Sequence, residues 1–256
     1  MRSLLTATGL FTVIPVRPFE VDRAAATRAM AALPWLGLLL GLGAGVVVWG
    51  LGSVTSPLLG AVAGLALLAA ATGALHLDGV ADTADGLGSR KPREVALEIM
   101  RRSDIGPMGV VTLLFVLGLD VAALAATASP LFGGAALAVA VMASRLAVSI
   151  ATVSKRSARA EGFGALFVGV TERSTAVVNS ALAVLVALGL GWLTAGWHGA
   201  VALAVGGGTG ALVAAWWGRR LVRRFEGWTG DTFGSLIEVT QAAVLVATAV
   251  AFGALA

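Results

Sequence analysis

Apolar runs long enough to cross a bilayer recur seven times along this chain, and that recurrence limits the fold more than any other feature. A hydrocarbon core about 30 Å thick takes ~20 helical residues. Runs of this kind fall near 31–52, 58–76, 106–128, 132–152, 175–195, 198–218 and 234–256. Of the 256 residues, 58% are hydrophobic and only 12% charged, with a mean hydropathy of +0.92. A soluble domain carries roughly 45–50% and about 25%. The expected fold is therefore an all-α integral membrane protein, a single polytopic domain over 1–256 with about seven transmembrane helices. Gly37, Gly41 and Gly45 stand four apart in the first run, a small-residue ridge that lets two helices approach closely.

Charge divides the connecting segments. Segments 1–30, 77–105, 153–174 and 219–233 hold 17 of the 18 basic residues, and the eighteenth, Arg145, lies inside a run. The alternate loops 53–57, 129–131 and 196–197 hold none. Positive loops resist translocation, so the charged side is expected to be cytoplasmic, with the N-terminus inside. Residues 3–16 have the apolar run of a signal peptide after Arg2, but Pro15, Arg17, Pro18 and Glu20 follow with no cleavage site. A short helix in the cytoplasmic interface is the better reading. Trp192 and Trp197 read as anchors at the outer interface.

Cysteine is absent, which excludes disulfides, thiolate metal sites and cysteine nucleophiles. His76 and His198 are too few and too far apart for a histidine metal cluster. The acids follow the bases: 12 of 14 lie in the same four segments, and only Asp120 and Glu238 fall inside runs. Three are set tightly in H76-L-D-G-V-A-D-T-A-D-G-L-G-S-R90. Asp78, Asp82 and Asp85 stand at i, i+4 and i+7, one face of a helix. Such carboxylates repel unless a cation sits between them, and hard oxygen ligands suit Mg²⁺ or Mn²⁺. Gly79, Gly86 and Gly88 are expected to leave room for a phosphate. A solvated acidic helix end is the simpler alternative.

The other candidates are basic or buried. Arg90, Lys91 and Arg101 suit phosphoryl oxygens, although loop bases also serve topology. Arg145 inside a run should face a wet cavity or an acid. Asp231 and Glu238, seven apart on one face at the start of the last run, are expected beside it, with Glu238 as its partner and Asp231 as a substrate group or a helix cap. His76 would orient an aspartate or contact substrate. Asp120 suggests only a helix–helix hydrogen bond.

The stretch D82-T-A-D85-G86-L-G-S-R90 resembles the first half of the CDP-alcohol phosphotransferase signature, but the second half is absent: position 99 is Ile and 103 is Ser. The whole chain more closely resembles the cobalamin 5′-phosphate synthase (adenosylcobinamide-GDP ribazoletransferase) family. The matching stretches are F11-T-V-I-P-V16, P34-W-L-G-L-L-L-G41, H76-L-D-G-V-A-D-T-A-D-G86, E98-I-M-R101 leading into I105-G-P-M-G109, S144-R145, R159-A-E-G-F-G164 and G230-D-T-F-G-S-L-I-E238. Members often read R-D-S after I-M, whereas here R101-R102-S103-D104 carries the acid two residues later. The resemblance implies that α-ribazole, or its 5′-phosphate, attacks the cobinamide-linked phosphate of adenosylcobinamide-GDP with release of GMP. It implies Mg²⁺ held by Asp78, Asp82 and Asp85, catalytic roles for Asp82, Asp85 and Asp104 (or Glu98), and substrate contacts from His76, Arg90, Lys91, Arg101, Arg145, Asp231 and Glu238. It also implies the cytoplasmic (inner) membrane, with the active site facing the cytoplasm. Partners would be these small molecules and membrane lipid, not nucleic acid; a homo-oligomer stays open. A secondary transporter is the weaker alternative, since 29 of 32 charged residues lie outside the runs.

Overall fold

The computed structural model describes residues 2–255. It holds ten helices and, among these residues, no strand: α1 (Arg2–Phe11), α2 (Arg23–Val54), α3 (Pro57–Thr72), α4 (Leu75–Gly88), α5 (Arg93–Ile99), α6 (Pro107–Ala125), α7 (Pro130–Ala151), α8 (Phe163–Phe167), α9 (Arg173–Phe225) and α10 (Gly230–Leu255). Five, namely α2, α6, α7, α9 and α10, are long and apolar enough to cross a membrane, and α3 and α4, bent by 90°, meet that measure only when taken together.

Helix α7 is the axis of the bundle. Its small residues bury nearly all round the helix, with Gly134, Ala138 and Val141 toward α2. The expected ridge on α2 meets it there. A Cβ on Gly41 would sit 2.7 Å from the Ala138 Cα, and one on Gly45 2.5 Å from the Gly134 carbonyl oxygen. No side chain fits between these backbones, so glycine sets the interaxial distance and van der Waals contact replaces the missing hydrophobic drive. Outward, Leu114 and Phe115 of α6 and Leu185, Leu193 and Leu212 of α9 are exposed apolar side chains, as lipid-facing positions should be.

Several boundaries differ from the sequence reading. Asp22 caps α2 by accepting a hydrogen bond from the Ala25 N–H at 2.6 Å, so α2 starts at Arg23, well before 31. The run 58–76 stops at Thr72. Gly73 and Ala74 both take left-handed conformations (φ 60° and 57°), and the chain leaves at 90° into α4. Segment 77–105 is thus no extended loop: most of it is α4 and α5. With its three aspartates, α4 turns away from the spanning direction and packs against α10 and α6.

The runs 175–195 and 198–218 keep their expected division: they are the two halves of α9, separated by a kink at Ala195 (φ −151°, ψ 24°) and Gly196 (φ 61°, ψ −149°). A Cβ on Gly191 would lie 2.5 Å from the Gly199 carbonyl oxygen, so the halves pinch together at the break. Trp192 and Trp197 flank it, both exposed. The short N-terminal helix forms as α1, docked on α2 through buried Ala7, and the Val13 N–H then donates to the Ala71 carbonyl at 2.9 Å.

Candidate functional site

The site is built where α4 crosses the start of α10. Gly79 and Gly234 make the crossing: a Cβ on Gly79 would come 2.7 Å from the Asp231 carbonyl oxygen, and one on Gly234 3.1 Å from that of His76. The expected space for a phosphate at Gly79, Gly86 and Gly88 is therefore taken. Gly86 receives Met100 and Gly88 receives Met108. These glycines bring elements together; their close packing is what sets the acids of α4 beside α10.

The three aspartates of α4 differ in surroundings. Asp78 is exposed and Asp82 half-buried. Asp85 is engaged: its carboxylate accepts from the Gly106 N–H at 2.7 Å and the Gly109 N–H at 2.9 Å. Helix α6 opens with Gly106 as N-cap and Pro107 behind it, and Gly106 has no side chain to cap with. Asp85 supplies the missing acceptor from another helix, placing negative charge at the positive end of α6. Among the described residues, no three His, Asp or Glu side chains stand grouped so as to hold a metal ion. The negative charge is nonetheless concentrated. Burial first, then Asp78, Asp231 and Asp85, push the Asp82 carboxyl up to about 7, and Arg159 opposes them.

Asp231 does not cap α10 from outside. It stands in the first helical turn, while Thr229 and Thr232 exchange hydrogen bonds at 2.8 and 3.1 Å across the helix start. Its carboxylate pairs with Arg159 at 3.2 Å, and Arg159 also donates to the Leu97 carbonyl at 3.1 Å. Arg159 was missed as a site residue, although it opens the matching stretch R159-A-E-G-F-G164. Nothing in the local spacing ties it to Asp231, 72 positions later.

Behind the acids lies a buried polar chain. Arg145, only 1% exposed, donates to the Gln241 Oε1 at 3.1 Å, the Ser144 Oγ at 3.0 Å and the His76 Nδ1 at 3.2 Å. Gln241 passes the chain on by donating to the Asp120 Oδ2 at 2.8 Å, the helix–helix bond expected of Asp120. The expected Arg145–Glu238 ion pair is not formed directly. Glu238 stands 4.0 Å from the His76 Nδ1, and the guanidinium is committed to Gln241, His76 and Ser144. Since arginine only donates, Nδ1 of His76 is the acceptor and its ring proton sits on Nε2. His76 is thus neutral and its contact with Glu238 is no salt bridge. Nε2 is buried without a partner.

His76, Asp78 and Asp231 line one cavity of about 420 Å³ between α1, α2, α4, α8 and α10. The same cavity has aromatic lining. Phe11, Phe163 and Phe167 form a triangle of rings there, with centroids 5.5 Å apart for Phe11–Phe167, 4.8 Å for Phe163–Phe167 and 6.2 Å for Phe11–Phe163. Arg90, Lys91, Arg101 and Asp104 do not line this cavity and are exposed. Arg90 adopts φ 54° in the turn after α4, and the Lys91 carbonyl accepts from Arg224 at 2.6 Å. A different base holds this region together: Arg93 donates to the carbonyls of Phe225 at 2.8 Å and Ala158 at 2.7 Å.

Comparison with known proteins supplies the family. The family model described as cobalamin-5-phosphate synthase matches residues 3–249. The adenosylcobinamide-GDP ribazoletransferase of Frankia casuarinae is 44% identical over 95% of this chain and 93% of its own length. Proteins of that name from Citrobacter koseri and Sinorhizobium medicae are 39% and 38% identical, covering 86% and 93% of this chain and 87% and 91% of their own lengths. No solved structure matches this chain. With the match running almost from end to end and through both helices that build the acid-lined cavity, the chain belongs to the cobalamin-5-phosphate synthase family.

Proposed function

We propose that the chain is a membrane transferase of cobalamin synthesis that joins α-ribazole, or its 5′-phosphate, to adenosylcobinamide-GDP and releases GMP. The observation that carries this reading is the match over residues 3–249 together with relatives named for that reaction. Neither a CDP-alcohol phosphotransferase nor a transporter is favoured by them. In the reaction a ribazole hydroxyl oxygen bonds to the cobinamide-linked phosphorus, the bond from that phosphorus to the bridging oxygen breaks, GMP leaves with that oxygen, and the hydroxyl proton passes to the GMP phosphate or to solvent.

The cavity has what such substrates ask for. The Phe11, Phe163 and Phe167 rings suit a flat base, and His76, Asp78 and Asp231 in the same lining offer polar groups to a phosphate or ribose. Neutral His76, held by Arg145, presents Nε2–H as a donor in that lining. Arg159 holds Asp231 in position and sets a positive charge against the acid cluster. Asp78 and Asp82 would hold Mg²⁺. Two carboxylates with few protein ligands fit an ion that keeps its waters and is completed by substrate phosphates. When bound, it would neutralise charge on the diphosphate and on the departing GMP. Asp85 works beside them as the cap of α6.

Topology follows the same reading. With α3 as one crossing and the break at Gly196 dividing α9 into two, α2, α3, α6, α7, both halves of α9 and α10 make seven. The basic segments then face the cytoplasm of the inner membrane, and the cavity opens on that side. The test is incubation of purified protein in vesicles with adenosylcobinamide-GDP, Mg²⁺ and either α-ribazole or its 5′-phosphate. GMP release coupled to a cobalamin product is expected. Absence of both with either nucleophile refutes the proposal.

A further inference from the structure

A second cavity, of about 550 Å³, shares no lining residue with the first. It runs as a gutter between α7, the second half of α9 and α10. Its apolar end is walled by small residues, Ala143 and Ala147 on α7 and Gly207 and Ala211 on α9. A Cβ added to Gly207 would meet nothing within 4 Å, so the gutter is open there. From Gly207 to Arg223 along α9 is about 24 Å, close to the length of an extended acyl chain. At the other end the lining turns basic, with Arg156, Arg219 and Arg223. None of the three forms an ion pair among the described residues. Two further polar atoms in the wall lack partners: Trp228 Nε1 and Thr240 Oγ1, on residues 5% and 1% exposed.

We propose that this gutter is a binding site for an anionic phospholipid, with one acyl chain along Ala143, Ala147, Gly207 and Ala211 and the headgroup phosphate among Arg156, Arg219 and Arg223. The gradient from apolar to cationic along one groove matches a lipid end to end. A free phosphate would use only the arginines, and a polar nucleotide has no use for the apolar length. The site is independent of the proposed reaction, since it lies outside the acid-lined cavity.

The experiment is native mass spectrometry of detergent-purified protein given equal phosphatidylglycerol and phosphatidylcholine, with thermal unfolding in parallel. Wild type is expected to retain phosphatidylglycerol preferentially and to melt higher with it. The exposed pair Arg219→Gln/Arg223→Gln, well away from the acid site, should keep the fold and lower that preference by roughly tenfold or more. Gly207→Leu fills the apolar end and should reduce retention of both lipids. Equal retention of the two lipids, or an unchanged preference in the double variant, overturns the proposal. So does displacement of phosphatidylglycerol by inorganic phosphate alone, which would mark a free-anion site, or occupancy by a second copy of the chain.

Discussion

Substitution of Asp85 by Ala removes both acceptors that close the N-terminus of α6, and the structure sets the size of the effect. Asp85 holds the N–H groups of Gly106 and Gly109 at 2.7 and 2.9 Å, and Gly109 is buried, so water cannot fully replace the lost carboxylate there. A hydrogen bond to a charged acceptor contributes roughly 1.5–3 kcal/mol, and deleting a cap costs about 0.5–2 kcal/mol. Because the Gly106 end is partly wet, we take the lower values and expect a loss of ~3 kcal/mol. For a chain of this size that lowers Tm by about 6–12 °C. Asp85→Asn keeps one acceptor oxygen and should lose about half as much. Asp78→Ala, at an exposed position two helical turns earlier on the same face, should stay within ~0.5 kcal/mol of wild type. The measurement is thermal unfolding in detergent followed by the fluorescence of the seven tryptophans. If Asp85→Ala melts with wild type while Asp78→Ala melts lower, the cap assignment is wrong and Asp85 serves chemistry alone.

Four further outcomes are expected. Arg145→Ala strands His76 and Gln241 in the bundle and should cost ~3–5 kcal/mol; combined with Gln241→Leu the loss should fall short of the sum, and simple additivity would break the proposed chain. For Asp82, a carboxyl raised to about 7 stabilises the fold fully only below its unfolded value and loses that stability as pH rises through about 7. Tm without divalent cation should therefore fall between about pH 4 and 7 and level off above, Asp82→Asn should flatten the profile, and Mg²⁺ should oppose the fall; a flat wild-type profile contradicts the clustering. Gly79→Ala drives a Cβ to 2.7 Å from the Asp231 carbonyl, so it should cost about 1–3 kcal/mol and lower turnover further by parting α4 from α10; wild-type turnover would refute the close crossing. Finally, cysteines introduced at exposed Ser103 and Ser53 should be labelled by an impermeant thiol reagent from opposite sides of the membrane, and labelling from one side overturns the seven-crossing topology.

The resemblance and the residues carried much of the site. His76, Asp78 and Asp231, singled out from sequence, line one cavity, and Arg145, expected beside Asp231 and Glu238, is buried. The partners within that group were not legible. The cost of a lone charge inside a run pairs Arg145 with Glu238, but whether a guanidinium reaches a carboxylate or an amide one turn on depends on side-chain direction and helix rotation. Here Gln241, three residues after Glu238, took the bond. Asp85 and Arg159 show the same limit. A carboxylate at the right helical spacing reads as a ligand until a neighbouring helix start with a glycine cap needs it, and a loop arginine reads as a topology signal until an acid 72 positions away faces it.

What the sequence determined by itself is local in origin. Long apolar stretches must be helical in hydrocarbon, and the Gly37–Gly41–Gly45 ridge specifies a close helix contact whatever its partner. Each follows from a few consecutive residues meeting a uniform solvent. Tertiary structure alone decided that α4 turns 90° after Thr72, that Gly79 meets Asp231, and that the 420 Å³ cavity lies between α1, α4 and α10. Those outcomes rest on which ridges find which grooves across more than a hundred residues. Dispersion contacts between lipid-like surfaces are weak one by one and strong only when summed over the packed interface, and no stretch of sequence carries that sum.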